Sequence, residues 1–61
     1  MGDMDKELVG TTTNNEKVYH IFNGAGVAYT TIEDVEGFEM YSCEREKEKA
    51  MFKALNIKFK D

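Results

Sequence analysis

FEMYSCEREKEKAMFKAL, residues 38–55, holds the change of pattern that decides the fold. Its first residues alternate as a strand does, with Phe38 and Met40 on one side and Glu39 and Tyr41 on the other. From Glu44 the chain turns to alternating charge and then to apolar residues at helical spacing. Period two gives way to period 3.6 between Ser42 and Cys43. A strand therefore leads into a helix, with Ser42 placed as its N-cap. Glu44 and Glu46 suit the positive end of the helix dipole, and Lys53 suits the other end. Cys43, Ala50, Met51, Ala54 and Leu55 share one stripe, interrupted by Lys47, which is expected to pack on a sheet.

Upstream, KVYHIFN (residues 17–23) and VAYTTIE (residues 27–33) read as two more strands, rich in β-branched and aromatic residues. In the first, Val18, His20 and Phe22 point one way and Tyr19 and Ile21 the other. Asn23-Gly24 between apolar runs predicts a type I′ hairpin turn, because both residues tolerate positive φ. Asp34-Val35-Glu36-Gly37 is the second turn, and residues 38–42 are the third strand. Connections this short predict a three-stranded antiparallel meander. Downstream, Asn56 is a common helix stop. Ile57 and Phe59 then alternate with Lys58 and Lys60, which favours a short fourth strand over a longer helix carrying Phe52 and Phe59 on one stripe. Residues 1–16 read as a flexible acidic tail, with Met4, Leu8 and Val9 its only apolar residues after Met1 and a polar loop over residues 11–15. One helical turn over residues 3–8 would be marginal at that length. The expected class is α+β, either βββα or βββαβ, with a tail (1–16) and one small domain (17–61).

Sixty-one residues bound what such a fold can do. Chains this short bury only about 60% of the surface their unfolded form exposes. One cysteine excludes an intrachain disulfide, and His20 and Cys43 are the only soft metal ligands where a structural zinc wants four. Neither a metal nor a cofactor is expected. A hydrophobic content of 41% and an absence of proline favour a compact chain over disorder. The single thiol, and an acidic start without the apolar run of a secretory signal, point to the cytoplasm. The charge is uneven: residues 1–16 and 17–42 each carry −3 and residues 43–61 carry +2, within a total of −4. An acidic sheet lacks the long-range attraction to phosphate that nucleic-acid binders use, so direct nucleic-acid binding is not expected.

Each candidate for chemistry has a plainer explanation. Cys43 at a helix N-terminus could be a thiolate with His20 as its base, but Glu44, Glu46 and Glu48 surround it with negative charge, which raises a thiol pKa. Both residues are expected to be packing groups, so no catalytic residue is assigned. Gly24-Ala25-Gly26 lacks the third glycine and the following helix of a dinucleotide loop. Glu33, Asp34, Glu36 and Glu39 lack the spacing of a calcium loop. They are better read as a solvated turn or an acidic contact patch. One face of a sheet covered by a single helix stays open, and Tyr19, Ile21, Tyr29 and Tyr41 are candidates for that face. Tyrosine is enriched at protein interfaces.

The stretch over residues 26–55 resembles antitoxins of the HicB type: a hairpin, an Asp-hydrophobic-x-Gly turn (Asp34-Val35-Glu36-Gly37), a strand, then a Glu/Ala-bearing helix. It departs from them in having no proline in the turn and no Gly-Asp-Thr-like lead into the helix. The likeness is topological, and no residue role carries over. In size and acidity the chain is similar to the small inhibitors that bacteriophages encode against host enzymes. The expected function is a non-enzymatic binding module, inhibitor- or antitoxin-like. It would block a larger protein with a basic surface, with acidic groups mimicking nucleic-acid phosphates. The contact would use Glu33, Asp34, Glu36, Glu39, Tyr19, Tyr29 and Tyr41. The alternative is a homodimer paired through an edge strand, residues 38–42 or 57–60.

Overall fold

The computed structural model describes residues 5–24 and 26–60, with Ala28 described by its backbone. Strands β1 (Asp5–Thr11), β2 (Lys17–Phe22), β3 (Val27–Glu33) and β4 (Glu39–Glu44) precede a 3-10 turn (Arg45–Lys47) and helix α1 (Glu48–Leu55). The strands form one antiparallel sheet in chain order, β1-β2-β3-β4. The class is α+β, with four strands where three were expected.

The added strand lies within the expected tail. β1 pairs Leu8 with Tyr19 and Gly10 with Val18, leaving Val9 as an extra, bulged residue. No helical turn forms over Asp5 to Leu8, which are strand; Asp3 and Met4 lie outside the described residues. The polar run that follows is the hairpin joining β1 to β2. Thr12 Oγ1 accepts from the N–H of Asn14 (3.2 Å) and Glu16 (3.1 Å), and Asn15 sits at φ 66°. Thr12 is 1% exposed because this hydroxyl has its partners inside the turn.

The two other hairpins differ in how closely they follow expectation. Between β2 and β3 the positive φ values fall on Gly24 and Gly26, not on Asn23, so the turn is not type I′ through Asn-Gly. Asn23 N–H instead reaches Gly26 O at 3.2 Å; Ala25 lies outside the described residues. Between β3 and β4, Asp34 Oδ1 accepts from the N–H of Glu36 (2.9 Å) and Phe38 (3.0 Å), and Gly37 N–H donates to Asp34 O (3.0 Å). Gly37 takes φ 93°, the left-handed position that closes a three-residue loop.

β4 runs two residues past the expected switch, because Cys43 pairs with Thr30 and Glu44 with Tyr29. Ser42 is therefore a strand residue and caps nothing, and Cys43 is not at a helix N-terminus. α1 begins at Glu48 with no side-chain cap and ends as expected at Asn56, in the left-handed conformation (φ 55°, ψ 45°). Asn56 N–H bonds Lys53 O (3.2 Å) and Ile57 N–H bonds Phe52 O (2.9 Å), the hydrogen-bond pair of a Schellman motif. The inward stripe is rotated from the expected one: Met51 and Leu55 belong to both, while Glu48 and Phe52 take the places expected of Ala50 and Ala54. Ala50 and Ala54 are exposed, whereas Glu48 is buried and Met51, Phe52 and Leu55 are half-buried, a stripe at i, i+3, i+4 and i+7. The segment after α1 makes one bridge, Thr12 with Phe59, rather than a fourth strand of its own.

The core is small. Val18 and Ile32, directly paired across β2 and β3, are both 0% exposed, and Ile21 is 8% exposed. Directly paired residues share a face, so Gly10, Val18, His20, Thr30, Ile32, Tyr41 and Cys43 lie on one side of the sheet. α1 and Phe59 cover that side. A Cβ on Gly10 would come within 2.7 Å of the Phe59 ring, so only glycine lets the ring lie so close. Phe52 meets Phe59 edge to face at 5.7 Å between centroids, joining α1 to the C-terminal segment.

Candidate functional site

The expected acidic patch divides into carboxylates that serve the fold and carboxylates that face outward. Asp34 is committed to its turn through the two N–H bonds above. Glu33 accepts from Lys6 Nζ at 2.9 Å across the sheet, and that hydrogen bond raises the Lys6 amino group above its usual range. The same Nζ lies 4.4 Å from the centroid of Tyr19, a cation–π contact. Glu36 and Glu39 are exposed. Glu39 stands opposite Glu33 in the ladder, and Lys17 flanks Glu33 on its other side. Beside these carboxylates Val35 is 70% exposed and Phe38 67% exposed, so the hairpin tip is apolar as well as acidic.

The tyrosines divide too. Tyr19 pairs with Thr31 and Leu8, and Tyr29 with Ile21, which places both on the face opposite α1. Tyr41 pairs with Ile32 and so belongs to the helix-covered side, where it is 46% exposed. The expected grouping of all three is corrected: Tyr19 and Tyr29 share a face and Tyr41 does not. An extra β4 residue at Met40 shifts the register between Glu33–Glu39 and Ile32–Tyr41, so the strand's own alternation did not set its phase.

Under α1 lies a cluster of side chains from β2, β3 and the start of the helix. Glu48 Oε1 is 2.5 Å from His20 Nε2 and accepts from Thr30 Oγ1 at 2.9 Å, while Oε2 is 3.2 Å from Arg45 Nη1. Burial opposes ionisation of Glu48, but the His20 and Thr30 hydrogen bonds and the His20 and Arg45 charges outweigh it and lower its pKa. An ionised carboxylate only accepts, so His20 Nε2 carries the hydrogen. Each member satisfies another, and together they fasten the helix to β2 and β3. The only advance signal was spacing: Glu48 sits on one helical stripe with Met51, Phe52 and Leu55.

Cys43 neighbours this cluster through its pairing with Thr30 and is half-buried. Burial pushes its thiol up, and the charges of Glu48 and Glu44 push it further, against a smaller opposite effect from Lys47. A protonated thiol is a poor nucleophile. Iodoacetamide at pH 7 is expected to alkylate Cys43 more slowly than free cysteine, and Glu44→Gln should quicken the reaction. Mass spectrometry of timed samples reads both rates; labelling as fast as free cysteine would contradict the assignment. No group of three or more His, Cys, Asp or Glu that could hold a metal occurs among the described residues. No helix among them is long and apolar enough to cross a membrane.

No family model, curated protein or solved structure matches this chain.

Proposed function

We propose that this chain is a small non-enzymatic binding module that acts by occupying a surface of a larger protein, as inhibitors and antitoxins do. The observation that carries this reading is the β3–β4 hairpin tip. There Glu36 and Glu39 are exposed beside Val35 and Phe38, two of the most exposed large apolar residues described. Carboxylates around an apolar centre match the anatomy of a protein interface, with rim charge steering the encounter and central side chains supplying affinity. Toward a basic site, Glu36 and Glu39 would stand where nucleic-acid phosphates do. Tyr19 and Tyr29, on the face without a helix, extend the contact.

Asp34 is a poor probe of this contact, because reversing its charge also removes the acceptor of its turn. The cleaner test is the pair Glu36→Lys and Glu39→Lys, which leaves the turn's hydrogen bonds in place. The partner is captured from host lysate, identified by mass spectrometry, purified and titrated against both chains. The double reversal is expected to weaken binding at least tenfold, about 1.4 kcal/mol, with the urea midpoint little changed. Equal affinity for both chains would remove the acidic tip from the contact.

A further inference from the structure

The two edges of the sheet are finished differently. Along β1, Asp5, Lys6 and Glu7 place charge on the edge strand and Val9 is bulged. The C-terminal segment then runs beside its end: Lys60 N–H donates to Thr11 O at 2.8 Å, and Thr13 N–H to Lys58 O at 2.8 Å. Charge, bulges and covering segments are the devices by which edge strands avoid further pairing. β4, Glu-Met-Tyr-Ser-Cys-Glu, has no lysine, arginine or proline, and five of its six residues are exposed. Its one irregularity, at Met40, adjoins the hairpin and leaves Tyr41 to Glu44 in regular register. Met40 is 39% and Tyr41 46% exposed, and β4 has a neighbour on one side only.

We propose that the outer edge of β4 takes up an extended, lysine- or arginine-bearing segment of the partner protein as a fifth strand. This rests on the reading of the chain as a binding module and adds the mode of contact. Main-chain hydrogen bonds would supply the pairing and alternate side chains the selectivity. Charge selects the occupant. Glu39 and Glu44 stand at the two ends of β4, Glu36 lies in the turn before it, and no basic side chain lies on the strand. A second copy of this chain would bring a β4 that itself carries Glu39 and Glu44 and no lysine or arginine.

The test uses the full 15N-labelled chain and two synthetic peptides of equal charge, Lys-Val-Lys-Val-Lys-Val-Lys and Lys-Pro-Lys-Lys-Pro-Val-Lys. The first can pair as a strand; the prolines of the second remove an N–H donor from each edge of the extended peptide. The first peptide is expected to shift and protect the β4 amides, with the proline peptide at least tenfold weaker. Glu39→Lys with Glu44→Lys should lose the lysine peptide and gain its glutamate counterpart, a result that an unfolded variant cannot give. Equal effects of both lysine peptides would overturn strand addition while leaving an acidic contact standing. Shifts centred on Tyr19 and Tyr29, or no shifts at all, would overturn the β4 assignment. Concentration-dependent β4 shifts without peptide would replace the partner segment by a second copy. The module reading fails separately, if no partner is captured by the chain and released by the Glu36 and Glu39 reversals.

Discussion

Glu48→Ala is expected to cost about 2–3 kcal/mol of stability, large for a chain whose total is of order 3–9 kcal/mol at about 0.05–0.15 kcal/mol per residue. Removing one partner of a fully buried ion pair costs about 3–5 kcal/mol. The present value is set lower because the Glu48 and His20 side chains keep 12% and 18% of their exposure. Alanine would leave His20 Nε2 and Thr30 Oγ1 facing each other's environment without an acceptor, beneath a helix of only eight residues. Glu48→Gln keeps the shape and one acceptor oxygen and should lose about half as much. The urea midpoint followed by far-ultraviolet circular dichroism reads both; with a slope of about 1 kcal/mol per molar for so small a domain, Glu48→Ala moves it down by about 2 M. The pH dependence has a definite sign. The Glu48 pKa is lowered in the folded state from an ordinary value of 4.5. Its contribution is therefore full above about pH 4.5 and is lost as pH falls through the lower folded-state value. Wild type should lose stability relative to Glu48→Ala across that acid window. Parallel pH profiles, or a midpoint change under 0.5 M, would show that Glu48 does not hold the helix down.

Ile32→Ala is the second large effect, at about 3–4 kcal/mol. Deleting buried methylenes loses their transfer free energy and leaves a cavity, for a combined cost of about 2–5 kcal/mol. Ile32 belongs at the higher end. It is 0% exposed on a central strand, its partner Val18 is also 0% exposed, and only Ile21 among the other apolar residues described is buried. The remaining buried residues are Thr12, Thr30, Thr31 and Glu48, all held by directional or short side chains that cannot flow into a void. Val35→Ala is the matched control: at 70% exposure it should change the midpoint by less than 0.5 kcal/mol equivalent. Equal losses for the two variants would mean that the Val18–Ile32 pair is not the centre of the core.

What the sequence revealed and what it hid follow one rule. Local patterns were legible and pairings between distant residues were not. β3 matches its expected span because seven residues rich in β-branched side chains and tyrosine, bounded by turns, need no information from elsewhere. The Asp34–Gly37 turn and the Asn56 stop are likewise local, each fixed by a residue that tolerates or enforces an unusual backbone. β1 is not legible because Leu8 and Val9, adjacent in sequence, break the alternation by which strands are recognised, and only the bulge at Val9 lets them fit one strand. The helix phase was misplaced because periodicity counts Glu48 as polar, whereas His20 and Thr30, 28 and 18 residues earlier, give it a reason to turn inward. The division of the tyrosines is of the same kind: one extra residue at Met40 decides which side Tyr41 takes. Of the acidic residues, composition could not tell Asp34 and Glu33, occupied by the turn and by Lys6, from Glu36 and Glu39.

The proposed contact lies on the acidic, sheet-bearing part of the chain and not on the outer side of α1, where Lys49 and Lys53 are exposed. An amide perturbation map of the 15N-labelled chain, recorded with and without its captured partner, tests that division most directly. The largest changes are expected at Glu36, Phe38, Glu39 and along β4, extending to Tyr19 and Tyr29, with Lys49 and Lys53 unmoved. A footprint centred on Lys49 and Lys53 that leaves the β3–β4 hairpin untouched would contradict it.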